Sequence, residues 1–165
     1  MHKLRVLARV AICVAIQVVL ARFLSVQTAM LRISFEFIPA ALVALLYGPW
    51  WAMGGSICAD LLGALLFPTG PYFPGFTLSA ALTGLTFGSF LYPCRKEWRR
   101  ILPAVLIVTL LINICLNTYW LTMILGKGFL VMLPGRLIKN AIMIPIEAFA
   151  IRLLAKWAPR LDNQA

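Results

Sequence analysis

Apolar runs of about 20 residues recur along this chain, separated by short breaks rich in Gly, Pro or basic residues. Coiled as an α-helix, such a run matches the ~30 Å hydrocarbon layer of a membrane. Only a ladder within the segment satisfies backbone polar groups there, unless a barrel closes. The period-two alternation of a barrel is absent. Hydrophobic residues make up 62% of the 165 and charged residues 12%, more apolar surface than a soluble core of this size hides. The sequence therefore predicts an all-α integral membrane protein, one transmembrane domain over residues 1–165.

Six helices are expected. The first runs from Leu4 to Leu24, followed by a polar link, Ser25 to Arg32. The second covers Ser34 to Tyr47, and after Gly48-Pro49-Trp50 the third covers Trp51 to Leu66. Read as one helix, Ser34 to Leu66 would extend about 50 Å, too far for one crossing, so the split at Gly48-Pro49 stands. The fourth runs from Thr77 to Tyr92, the fifth from Ile101 to Leu125 and the sixth from Leu133 to Trp157. The second to fourth fall short of a full span, which predicts a water-accessible concavity.

The net charge of +10 would suggest nucleic acid in a soluble protein. Here the basic residues flank apolar segments: Lys3/Arg5/Arg9, Arg95/Lys96/Arg99/Arg100 and Arg152/Lys156/Arg160. With six spans all three clusters lie on one side, and the positive-inside bias makes that side, with both termini, cytoplasmic. Nucleic acid is not expected as a partner; the lipid bilayer is. Met1 to Ala21 mimics a signal peptide, but Arg9 interrupts it, and a retained first helix fits better.

Little catalytic chemistry is available. His2 is the only histidine, and Cys13, Cys58, Cys94 and Cys115 show no CxxC spacing, so they read as packing residues with no metal site or disulfide framework. There is no phosphate loop of the Gly-x-x-x-x-Gly-Lys-Ser/Thr type, and no internal repeat of the kind alternating access uses. The single acids Glu36, Asp60 and Glu147 form no carboxylate cluster for a lipid-modifying enzyme.

Polar residues inside membrane helices are functional candidates by default. The topology sets Arg32 and Glu36 at the outer end of the second helix and Asp60 midway to outward in the third. Asn113, Asn117 and Trp120 share a face of the fifth helix by i, i+4, i+7 spacing. Arg136, Lys139 and Asn140 share one on the sixth, and Lys127 lies in the outer turn. Above them sits Phe67-Pro-Thr-Gly-Pro-Tyr-Phe-Pro-Gly-Phe76, a rigid aromatic stretch that neither neighbouring helix is expected to enter. Only Glu147 stands apart, in the cytoplasmic half. A channel needs polar groups along its whole depth. This chain gathers them at one end, as a closed-bottomed cup for a ligand with an aromatic plane and anionic groups, since Lys127, Arg136 and Lys139 outnumber the acids near them. Such a cup binds but has no motor of its own.

Small residues recur every fourth position at Ala11/Ala15, Gly55/Ala59/Gly63 and Ala80/Gly84/Gly88, a spacing that lets helices approach closely in lipid. The last two sets read as internal packing; Ala11 and Ala15 are equally suited to docking another membrane protein.

Arg32-Ile-Ser-Phe-Glu-Phe-Ile-Pro39, Tyr47-Gly-Pro49, Asp60-Leu-Leu-Gly63, the Phe67 to Phe76 stretch and Leu133-Pro-Gly-Arg-Leu-Ile-Lys-Asn140 resemble the folate-specific substrate-binding (S) components of energy-coupling factor (ECF) transporters, over nearly the whole chain. The resemblance implies a six-helix bundle in a bacterial cell membrane that captures folate outside, with neither cofactor nor ATPase site of its own. It implies as partners a transmembrane coupling protein and two cytosolic ATPase subunits, with Ala11 and Ala15 contacting the coupling protein. It also makes Ser25 to Arg32, Phe67 to Gly75 and Gly126 to Leu133 the lid and walls. A folate ligand would set its pterin against Asp60, Asn113 and Asn117, with Tyr72, Phe73 and Trp120 stacking, and its glutamate tail against Arg32, Lys127, Arg136 or Lys139. Glu36 and Asn140 complete the candidate set. Riboflavin and thiamine are the alternative ligands, and the cationic patch disfavours thiamine.

Overall fold

A computed structural model describes residues 2–27, 32–68, 72–92, 97–126 and 128–162. Six helices dominate them: α1 (His2–Arg22), α2 (Phe37–Tyr47), α3 (Pro49–Leu66), α4 (Pro74–Leu91), α5 (Trp98–Leu125) and α6 (Phe129–Asp162). Between α1 and α2 a two-residue antiparallel ladder pairs Val26 with Ile33 and Gln27 with Arg32.

Gly48 makes the expected break. Its φ of 86° lies where side chains are disfavoured, and its N–H still closes α2 on the Ala44 carbonyl. The helix starts differ from expectation in a consistent way. Pro49 and Pro74 both open helices, because the missing N–H costs nothing in a first turn and the fixed φ is already helical. Pro74, Gly75 and Phe76, expected in the loop, therefore form the first turn of α4. On α6, Pro134 falls inside a helix that starts at Phe129 rather than Leu133.

The small-residue sets bring helices together. A Cβ at Gly55 would sit 3.6 Å from Val10 and Val14, and one at Gly63 would sit 2.9 Å from Arg22 Nε, so α1 lies along this face of α3. A Cβ at Gly84 would overlap the Ala52 carbonyl and one at Gly88 the Pro49 backbone, which makes α3 and α4 a close-packed pair. Phe87, Leu45, Leu91, Ile101, Val105 and Ile151 fill the core between helices. Ala11 and Ala15 point the other way: both are exposed, while Val10, Val14 and Val18 of the same helix are buried. Cys58 and Cys115 are exposed free thiols rather than packing residues; Cys94 lies outside the described residues.

The outer surface is apolar. Leu65 is 77% exposed and Leu130 78%, an arrangement that water would penalise and lipid does not. Leu4–Arg22 and Trp98–Leu125 are each long and apolar enough to cross a membrane. The 11 residues of α2 rise only about 16 Å and do not cross alone.

The basic residues of three helices meet at one end. Arg9 Nη1 donates to the Tyr47 hydroxyl at 3.4 Å, joining the start of α1 to the end of α2. The Arg152 guanidinium lies 4.6 Å over the Trp98 ring, joining the end of α6 to the start of α5. The opposite end, where α1 and α3 finish and α4 begins, holds the site.

Candidate functional site

All six helices contribute to a cavity of about 450 Å³ that is lined at that opposite end by Arg22, Glu36, Pro68 and Tyr72 and floored by Phe87, Val108 and Glu147. On α6, Arg136, Lys139, Asn140, Met143 and Glu147 all face it, an i, i+3, i+4, i+7, i+11 stripe of one helical face. The expected grouping of Arg136, Lys139 and Asn140 is thus present. The stripe continues to Glu147, which is buried at 7% exposure. Glu147, expected to stand apart from the other polar groups, lines the same cavity.

The fifth helix departs from the α pattern. Val108 to Leu116 is π-helical, with i→i+5 bonding and more residues per turn. Asn113 and Asn117 still share the cavity face, with Asn117 Nδ2 donating to Asn113 Oδ1 at 3.1 Å. The wider turn rotates the residues after it, so Leu121 rather than Trp120 comes next on the wall. Trp120, expected on the cavity face, stands behind Phe73 with ring centroids 5.4 Å apart and donates from Nε1 to Ser79 Oγ at 3.2 Å. It backs the wall instead of forming it.

Asp60 lines the cavity from α3. Thr77 Oγ1 donates to its Oδ2 at 2.7 Å, and Tyr72 OH lies 2.9 Å from the same Thr77 oxygen. Arg136 Nη1 donates to the Asn113 carbonyl at 3.2 Å and to Thr118 Oγ1 at 3.3 Å, which fixes the guanidinium against α5. Four lining atoms, Ser56 Oγ, Asn117 Oδ1, Arg136 Nε and Glu147 Oε2, are buried without a hydrogen-bond partner. Each such atom costs about 1–3 kcal/mol, so a polar ligand that engages them gains what the protein forgoes.

Among the described lining residues, three acids (Glu36, Asp60, Glu147) face three bases (Arg22, Arg136, Lys139). Glu147 brings the acids among these described residues to the same number as the bases. Lys127 lies outside the described residues, and Arg32 is described only by its backbone in β2.

Arg22, Gln17, Ser56 and Ser79 also line the cavity and were not singled out from the sequence. Ser56 had a signal, since it stands one turn before Asp60. Arg22 had another, as the charge ending the first apolar run on the side of the aromatic stretch.

The family model for the ECF transporter, substrate-specific component, matches residues 5–155. The chain is 41% identical over 162 residues to the folate transporter FolT of Clostridium novyi (strain NT), covering 98% of this chain and 94% of that one. It is 36% identical over 143 residues to the folate transporter FolT of Leuconostoc mesenteroides, covering 83% and 77%. Its structure resembles a crystal structure of FolT bound with folic acid, with a TM-score of 0.86, 41% identity and coverage of 91% and 90% of the two chains. The chain belongs to the substrate-specific components of ECF transporters, a membrane-embedded family.

Proposed function

We propose that this chain is the folate-binding subunit of an ATP-driven ECF uptake transporter, a single S-component domain that takes folate from the extracellular side of a bacterial cell membrane. The observation that carries the reading is chain-long 41% identity to a folate transporter around a cavity with unsatisfied polar atoms on three helices. With the basic end toward the cytoplasm by the positive-inside bias, both termini lie inside and the cavity opens outward.

Folate suits such a cavity. Its flat pterin carries an amino-amide edge that Asn113, Asn117 and a wall carboxylate, Asp60 on the sequence pattern, can pair with. Phe73 and Tyr72 offer ring faces, with Trp120 supporting Phe73. Arg136 and Lys139, with Arg32 and Lys127 from the outer loops, suit the glutamate tail. Glu36 and Asn140 complete the wall. The chain carries no phosphate loop, so energy comes from a coupling protein and two ATPase subunits, with the exposed Ala11 and Ala15 as the docking face. Acids and bases are equal in number among the described lining residues, so the preference for folate over thiamine rests on the relatives.

Titration of the purified protein with folate, riboflavin and thiamine, followed by tryptophan fluorescence, tests this. Saturable quenching by folate alone is expected. No response to folate, or an equal response to thiamine, overturns the reading.

A further inference from the structure

The end of the bundle away from the cavity carries a second feature, where the Arg152 guanidinium lies 4.6 Å over the Trp98 ring. A guanidinium held over a ring face keeps its edge donors for an anion. Around this contact the charge is one-sided. Arg99 follows Trp98 on α5, and Lys156 stands one turn beyond Arg152 on α6; all three basic side chains are exposed. From Phe149 to Arg160 the sequence has three basic residues and no acid, and at the start of α5 Arg99 and Arg100 stand against the single acid Glu97. Arg152 and Lys156 share a helical face at i, i+4, where like charges repel. A bound anion relieves that repulsion.

The same faces run on as apolar surface. On α6, Phe149 and Leu153 share the face of Arg152 and Lys156 by i, i+3, i+4, i+7 spacing, and all four are exposed. On α5, Leu102 and Leu106 stand one and two turns beyond Trp98 and are exposed as well. Charges at the end of two apolar tracks are the complement of a two-chain lipid with an anionic head. A soluble anion would meet the charges alone and leave Phe149, at 66% exposure, uncovered. A zwitterionic lipid brings its own cation, which these groups repel.

We infer that the junction between the start of α5 and the end of α6 is a binding site for an anionic glycerophospholipid. Its phosphate is held by Arg152, Lys156 and Arg99, and its acyl chains lie along Leu102 and Leu106 on one side and Phe149 and Leu153 on the other. Basic pockets between membrane helices take anionic heads in this way. Trp98 is a positioning residue, which sets the Arg152 guanidinium toward the head. The chain joins α5 to α6 only at the cavity end, between Leu125 and Phe129, so the lipid ties together two helix ends that no loop connects.

The test titrates dioleoyl phosphatidylglycerol into the detergent-purified full chain, with dioleoyl phosphatidylcholine as reference, and reads bound lipid by native mass spectrometry. Each cation beside an anionic head is worth about 5-fold in affinity. Wild type should prefer the glycerol lipid. Arg152→Gln/Lys156→Gln should weaken its binding roughly 25-fold and Arg99→Gln about 5-fold, with little change for the choline lipid. Trp98→Leu should weaken it roughly 2- to 5-fold. Arg5→Gln removes an exposed charge of α1 at the same end and should keep wild-type affinity. Equal wild-type affinity for the two lipids, no loss in the double variant, or a loss in Arg5→Gln as large as in Arg99→Gln overturns the site. Displacement of the lipid by an equal concentration of soluble glycerol phosphate overturns it in favour of a free phosphate. A double variant that keeps the lipid but no longer copurifies with the ATPase subunits overturns it in favour of a protein contact. Should the double variant lose its helical circular dichroism, Arg99→Gln and Trp98→Leu decide, and wild-type lipid affinity in both overturns the site.

Discussion

Thr77 Oγ1 donates a 2.7 Å hydrogen bond to Asp60 Oδ2, so the Tyr72 hydroxyl, 2.9 Å from the same oxygen, is the donor in the second bond, Thr77 having only one proton to give. This chain of bonds joins the described end of the aromatic stretch to α3 and the first turn of α4. Thr77→Val removes both bonds and strands a partly buried carboxylate. Folate affinity should fall roughly 5- to 10-fold, the equivalent of 1–1.4 kcal/mol, while Thr77→Ser keeps wild-type behaviour. Fluorescence titration reads it, and wild-type affinity in Thr77→Val would mean the bonds do not hold the wall.

Arg136 is aimed rather than mobile. Two bonds from Nη1 hold it against Asn113 and Thr118, and Nε remains buried without a partner. With the tail carboxylates as its ligand, Arg136→Ala should weaken folate binding about 10- to 100-fold and barely change binding of pteroate, which lacks the glutamate. Equal loss for both compounds would reassign Arg136 to the structure of the wall.

Much of this architecture is legible in the sequence because lipid leaves few options. Apolar run length and the Gly48-Pro49 break give six helices, and the i, i+3, i+4 spacing of Arg136, Lys139 and Asn140 puts them on one wall. The remainder is hidden for two physical reasons. Proline is ambiguous from sequence: it ends the helix before it and opens the next, so Pro49 and Pro74 start helices two or three residues before the expected points. The π-helical turn from Val108 to Leu116 has no residue signature comparable to a cap or a proline, so α periodicity carries Trp120 onto a face that Leu121 occupies. That Glu147 lines the cavity escapes the sequence for a related reason. A cup read from residue counts alone has no floor, and the floor here is set by how Phe87 and Val108 pack.

The contact between α3 and α4 rests on absent side chains. Gly84→Val would drive a side chain into the Ala52 carbonyl and Gly88→Val into the Pro49 backbone, where no flexible atom can yield. Overpacking of this kind costs about 1–3 kcal/mol, and both variants should melt at lower temperature in detergent. Gly54→Ala is the control, because nothing lies within 4 Å of a Cβ there and Ala favours a helix over Gly by about 1 kcal/mol. It should melt at or above the wild-type temperature. A Gly84→Val protein as stable as wild type would mean the two helices are not in close contact at this point.

The first helix presents two unlike faces. Its inward face is Val10, Val14, Val18 and Ala21, all buried, while Ala11 and Ala15 are exposed on another face beside Ile12 and Ile16. A large side chain at Ala11 therefore meets no neighbour in this chain, yet it would hold off any helix seated on the small-residue stripe. Ala11→Trp should leave folate affinity and melting temperature of the isolated protein unchanged and abolish its copurification with the coupling protein and ATPases, together with folate uptake by cells. Val14→Trp, on the buried face, should do the reverse and lower stability first. If Ala11→Trp weakened folate binding in the isolated protein, this face would belong to the bundle core; if it left complex formation intact, the docking surface would lie elsewhere.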